Sequence, residues 1–158
     1  MIDIKTLGVV GSGPMGAGIA QIGLTAGLKV VLFDLNREAL EKSAKDIDGR
    51  IVRMVEKGQL PEGADADARA RLNLASALED FAACEFIVEA IIERLEPKQA
   101  LFAELEKIVG ADAILASNTS SLSVSTIAEG AARPELIVGM HFFNPAAAMK
   151  LVEVVAGE

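Results

Sequence analysis

The chain has no tryptophan and no tyrosine, and only one cysteine and one histidine among its 158 residues. With a single cysteine, Cys84, an internal disulfide is excluded, and a reducing compartment suits the chain. Cys84 sits beside the apolar run at residues 86–90, the setting of a buried structural thiol rather than a nucleophile. With a single histidine, His141, metal clusters built from several histidines are excluded, and no metal site is expected. No segment is apolar over a membrane-spanning length. The first residues lack the ordered charged, apolar and cleavage regions of a secretory signal, so the expectation is a cytoplasmic protein with no membrane partner. Positive charge is scarce: 15 Lys and Arg stand against 23 Asp and Glu, a net charge of −8, which argues against a nucleic-acid partner. It leaves room for an anionic small ligand, because backbone amides and one or two local lysines act beneath a negative total.

What is present is a chain of which 51% is hydrophobic and 24% charged, enough to bury a core as one globular domain over residues 1–158. Its centre is Gly11-Ser12-Gly13-Pro14-Met15-Gly16. The motif follows a short apolar run and opens a helical pattern with Met15, Ile19, Ile22 and Ala26 on one face. A second apolar run ends in Asp34, about 20 residues on, as in dinucleotide-binding turns. Gly11 permits the sharp turn, Gly13 lets the backbone approach a pyrophosphate, and Gly16 lets the helix pack closely. Pro14 fits a first-turn position whose amide has no helical partner, and the free amides there face phosphate. Asp34 can accept from both ribose hydroxyls of an adenosine, and its charge repels a 2′-phosphate. The cofactor expected is therefore NAD rather than NADP.

The remaining pattern alternates strands and helices. Strands are expected at residues 5–10, 30–34, 86–90, 113–116, 136–141 and 150–155, with an ambiguous short one at 69–74. Asn36 caps a long helix with Leu40, Ala44, Ile47 and Ile51 inward, ending at 57–61. Residues 62–70 read as a loop or a surface helical turn. Pro97 opens a further helix with Leu101, Leu105 and Ile108 inward, and short helices fall near 78–82 and 125–129. Mostly non-alternating apolar strands separated by helices specify an α/β fold: a doubly wound, Rossmann-type, mostly parallel sheet with helices on both faces.

Ligands bind beyond the carboxyl ends of such strands. Asp34, Glu89, residues 117–120 and His141 all fall there. His141 reads either as a strand-end residue satisfying a local hydrogen bond or as a general base near neutral pH. Glu153 interrupts an otherwise apolar strand. If the two strands are neighbours, its carboxylate orients the imidazole and stabilises its cation; otherwise it is an edge-strand residue facing water. Ser120 binds a substrate oxygen or belongs to a helix cap that Ser121 or Ser123 also supplies, and no GxSxG elbow marks it as a nucleophile. Asn118 is placed to bond cofactor or substrate, and Asn144, beside Pro145, reaches the same pocket.

These residues carry a resemblance. Residues 11–21 (Gly-Ser-Gly-Pro-Met-Gly-Ala-Gly-Ile-Ala-Gln), 88–94 (Val-Glu-Ala-Ile-Ile-Glu-Arg), 116–122 (Ala-Ser-Asn-Thr-Ser-Ser-Leu), 139–145 (Gly-Met-His-Phe-Phe-Asn-Pro) and 149–155 (Met-Lys-Leu-Val-Glu-Val-Val) resemble the L-3-hydroxyacyl-CoA dehydrogenase family. The resemblance is to its N-terminal NAD-binding domain, 3-hydroxybutyryl-CoA members included, over nearly the whole chain. It implies an oxidoreductase converting (S)-3-hydroxyacyl-CoA to 3-ketoacyl-CoA with reduction of NAD. It implies His141 as catalytic base, Glu153 as its orienting partner and Ser120 as the binder of the reacting oxygen. Glu93, Lys98, Asn118 and Asn144 then line the cofactor and substrate cleft, and Lys57 lies near the CoA phosphates. Leu35 departs from the family's usual polar residue after the ribose-binding acid. A helical C-terminal domain, source of the family's homodimer interface, is absent from this chain, so poor turnover is expected of it alone. Two alternatives stay open: a related 3-hydroxyacid dehydrogenase, which uses a lysine base, and a free-standing NAD-binding module.

Overall fold

A run of four buried residues, Leu7 to Val10, makes β1 (Thr6–Val10) a strand covered on both faces. A computed structural model describes residues 3–157. After β1 the chain turns through Gly11 into α1 (Pro14–Thr25) and returns as β2 (Lys29–Phe33), parallel to β1 with Val10 opposite Phe33. The inner face of α1 is wider than Met15, Ile19 and Ile22 alone, for Gly16 to Gln21 are all buried. Ala26 instead lies exposed beyond the helix end.

Asn36 caps α2 (Arg37–Glu56) by accepting from the Ala39 amide at 3.1 Å, as its side chain suggests. Leu40, Ile47 and Ile51 face the core, and the charged face carries i,i+4 pairs such as Arg37–Glu41. Residues 62–70 hold a true helix, α3 (Ala64–Arg71), so the following strand β3 (Leu72–Leu74) is only the second half of the short one expected at 69–74. Arg71 ties the end of α3 to α1 and the turn after it by donating to the carbonyls of Leu24 and Leu28 at 2.8 and 2.9 Å. A short 3-10 turn then leads into β4 (Phe86–Glu89).

Helix α4 (Leu95–Ile108) begins two residues before Pro97, which sits in its first turn where no amide is needed. Its buried residues are Lys98, Phe102 and Leu105, while Ile108 is only half-buried. β5 (Ile114–Ser117), α5 (Val124–Ile127) and β6 (Ile137–Phe142) follow, with Ser123 capping α5. The last strand, β7 (Val152–Ala156), runs antiparallel to β6.

The sheet order is β3-β2-β1-β4-β5-β6-β7, parallel except for the final pair. The order reverses between β1 and β4, so the crevice for a ligand opens beyond Val10 and Glu89. Apolar cores pack on both faces of the sheet. One joins α1 and α2 to β1 and β2, and the other joins α4 to Phe81, Ile87 and Leu115. This is the expected Rossmann-type architecture. No helix among the described residues is long and apolar enough to cross a membrane.

Candidate active site

The glycine turn is built by close approach. Gly11 has φ +101°, and a Cβ there would lie 2.5 Å from the Ala90 carbonyl oxygen. A Cβ on Gly16 would stand 1.7 Å from the Gly11 carbonyl oxygen, so Gly16 is required by the turn itself more than by the strand beneath. At Gly13 the space a Cβ would take is open, which leaves its backbone accessible. The first turn of α1 carries no acidic residue, and its unpaired amides face outward beside that opening.

Asp34 stands just beyond β2. Its Oδ2 accepts from both the amide and the hydroxyl of Ser12, at 2.9 and 2.8 Å, and its Oδ1 accepts from the Asn36 amide at 2.9 Å. Burial pushes the carboxyl up, but these three donors outweigh it and hold Asp34 below the ordinary value. Ser12 received no role from the sequence alone; the only signal for it was a hydroxyl residue inside the glycine turn that precedes Asp34. A cavity of 640 Å³ lies here, lined by Gly11, Gly13, Asp34, Ile91 and Pro97 among others, and Leu35 at its rim is 94% exposed. The fit to a dinucleotide is direct: open backbone over Gly13, a helix start for phosphate, and a charged carboxylate for ribose hydroxyls.

The second half of the site lies at the other end of the sheet order. His141 and Glu153 are register partners across β6 and β7, with His141 Nδ1 3.3 Å from Glu153 Oε2. The strands are neighbours, but Glu153 is not the buried carboxylate that its apolar surroundings suggest: its side chain is 58% exposed, against 25% for His141. The reason is that β7 is the edge strand with little packed on either face, so Glu153 to Ala156 are all exposed. Phe143 flanks the imidazole, with ring centroids 4.6 Å apart. A cavity of 470 Å³ is lined by Ser120, His141 and Glu153 together with Thr119 and Val124.

Between the two cavities the polar residues are tied to one another. Asn118 Oδ1 accepts from the Phe142 amide at 2.9 Å, fastening the end of β5 to the end of β6. Glu93 accepts from the Thr119 hydroxyl and from the Ser120 amide at 3.1 Å. Burial opposes its charge, but the Thr119 and Lys98 bonds outweigh burial and keep the Glu93 carboxyl below its ordinary value. Lys98 has no exposed surface and reaches the cleft only through Glu93, at 3.1 Å. Asn144 is exposed, two residues beyond the end of β6. Lys57 stands apart, at the C-terminal cap of α2. That helix's 20 residues separate it from Asn36 by about 30 Å.

The model of a known family, described as 3-hydroxyacyl-CoA dehydrogenase, NAD binding domain, matches residues 6–158. The chain belongs to the 3-hydroxyacyl-CoA dehydrogenase family. It is an NAD-binding oxidoreductase domain of that family, related to the N-terminal domains of its 3-hydroxybutyryl-CoA members. It is 42% identical over 157 residues to 3-hydroxyadipyl-CoA dehydrogenase of Escherichia coli K12, covering 99% of this chain and 33% of that protein. It is 40% identical to 3-hydroxybutyryl-CoA dehydrogenase of Bradyrhizobium diazoefficiens, covering 98% of this chain and 53% of the relative. Among solved structures, 3-hydroxybutyryl-CoA dehydrogenase of Escherichia coli K12 superposes with a TM-score of 0.93 at 40% identity, over 97% of this chain and 32% of the other. The Ralstonia eutropha (S)-3-hydroxybutyryl-CoA dehydrogenase gives 0.92 at 37%, over 98% and 55%. The chain thus spans about a third to a half of the relatives it matches.

Proposed function

We propose that this chain is the cofactor-binding and base-carrying part of a dehydrogenase that oxidises (S)-3-hydroxyacyl-CoA to 3-ketoacyl-CoA. The observation that carries the reading is the His141–Glu153 pair, which shares one cavity with Ser120 beyond the same strand ends as the glycine turn. NAD, when bound, supplies the hydride acceptor. His141 does the proton work: with Nδ1–H donating to Glu153, the other ring nitrogen takes the hydroxyl proton as the carbonyl forms. Glu153 fixes that tautomer and stabilises the imidazolium. Ser120 donates its hydroxyl to the reacting oxygen, while the amide groups of Asn118 and Asn144 complete the wall. Gly11, Gly13, Pro14, Met15 and Gly16 hold the pyrophosphate and Asp34 the ribose. Lys57 meets a CoA phosphate at the far end of α2.

A helical C-terminal domain, in the additional length of the relatives, completes the acyl pocket and the dimer. The exposed Leu151, Val154 and Val155 on and beside β7 support a covering there. A cytoplasmic setting belongs to the same proposal. The lysine-base alternative loses support from the burial of Lys98 in an ion pair.

The test is NADH formation in protein carrying the remaining domain. (S)-3-Hydroxybutyryl-CoA should be oxidised and free 3-hydroxybutyrate should not. Equal rates on the free acid would return the chain to the 3-hydroxyacid dehydrogenases.

A further inference from the structure

Glu89 and Lys98 are both fully buried, 2.7 Å apart, and the chemistry above uses neither. Stability does not explain them. Taking two ions out of water costs about as much as their attraction returns, and apolar side chains of similar volume commonly serve as well. Helix polarity does not explain the lysine either, since Lys98 stands near the N-terminus of α4, the end that disfavours a cation.

What the pair has in place of stability is direction. Glu89 Oε1 accepts from Lys98 Nζ at 2.7 Å and from the Ile91 amide at 2.8 Å, and Oε2 accepts from the Ser117 hydroxyl at 2.6 Å. Lys98 Nζ also reaches Glu93 Oε2 at 3.1 Å. Glu93 Oε1 in turn accepts from the Thr119 hydroxyl, the Ser120 amide at 3.1 Å and the Ser121 hydroxyl at 3.3 Å. Thr119 Oγ1 then accepts from the Leu122 amide at 2.9 Å. The series starts beside the glycine-turn cavity, whose wall includes Ile91 and Pro97. It ends at residues 119–121, in the wall of the cavity that holds His141.

We propose that Glu89 is a positioning residue: acting through Lys98 and Glu93, it holds Ser120 in the cavity shared with His141. The proposal rests on the reading of Ser120 and His141 given above. Each link has a fixed partner on a different element (β4, α4, the segment after β4 and the segment after β5). Ser120 is therefore set by the sheet rather than by its own loop.

The double variant Glu89→Gln/Lys98→Met removes both charges at nearly constant volume, so no buried ion is left unmatched and the fold should survive. The glutamine amide can still accept from Ile91 and donate to the Ser117 oxygen. Site-resolved amide hydrogen exchange by NMR on this chain is the measurement. The amides of Ser120 and Leu122 should exchange about tenfold faster or more, while those of β1 and β5 keep their protection. Unchanged exchange at Ser120 and Leu122 would overturn the proposal. So would a uniform acceleration including β1 and β5, which makes the pair a stability element only. Should the double variant fail to fold, Glu93→Gln breaks the same series at the surface and must give the same local acceleration; no change there also overturns it. Exchange at Ser120 does not depend on His141 being a base, so this proposal and the functional reading fail separately.

Discussion

The two halves of the cleft are made in opposite ways. The glycine-turn half comes from consecutive elements, β1, α1 and β2, and its atoms are packed so tightly that a single added carbon at Gly16 would collide with the backbone. The His141 half comes from the sheet's edge, where one antiparallel pair sets a mostly buried histidine against an exposed glutamate. Local closure makes most of the first half, with Ala90, Ile91 and Pro97 beyond β4 as its far wall. The second half depends on long-range pairing and leaves Leu151, Val154 and Val155 exposed. The contrast suits the division of labour proposed: phosphate binding needs a preformed cradle, whereas a base needs partial access to substrate.

The comparison breaks most sharply at His141. His141→Ala should lower NADH formation by about 10⁴-fold, the upper end for a proton-transfer group, in protein carrying the proposed C-terminal domain. NAD affinity by calorimetry should be unchanged, and full turnover would reject the mechanism. Next is Glu153→Gln, expected to cost about 10²-fold in turnover, the low end of that range because the carboxylate is well exposed. Its retention of full activity would reduce Glu153 to a solvated strand residue. In the other half, Asp34→Asn should weaken NAD about tenfold, the loss of a charged hydrogen-bond acceptor, and narrow its advantage over NADP. Equal affinities for both nucleotides in the unaltered chain would remove the ribose assignment.

The two halves share one pH dependence. Asp34 and Glu93 are both held below the ordinary carboxylate value in the folded chain. As pH falls the unfolded chain therefore binds these protons first. Their contribution to stability is complete above the ordinary value and is lost as pH drops through the lowered ones, which denaturant titrations over that acid range will show. The last expected effect lies outside the cleft and is on stability alone. Arg71→Met removes two bonds, to the carbonyls of Leu24 in α1 and Leu28 in the turn after it, and should cost about 2 kcal/mol in a denaturant melt, with NAD affinity intact. A matching loss of NAD binding would mean that the cradle is less self-sufficient than its packing implies.

The sequence alone determined what is local. Glycine spacing, the Asn36 cap, the apolar runs and the acid after β2 specify the turn, the helices and the parallel sheet, because turn sterics and 3.6- or 2-residue periodicity act over a few residues. It also brought His141 and Ser120 forward as candidates from their places at strand ends, and Glu153 from its interruption of an apolar strand. Only the tertiary structure decided that β7 pairs antiparallel with β6, putting Glu153 opposite His141 and in solvent. Only it showed that Ser12 holds Asp34, and that a buried Glu89–Lys98 pair sits between the two halves. Strand neighbours and buried partners are chosen by completing one sheet and satisfying every polar group withdrawn from water. That is a condition on the whole chain, which no short window of residues contains.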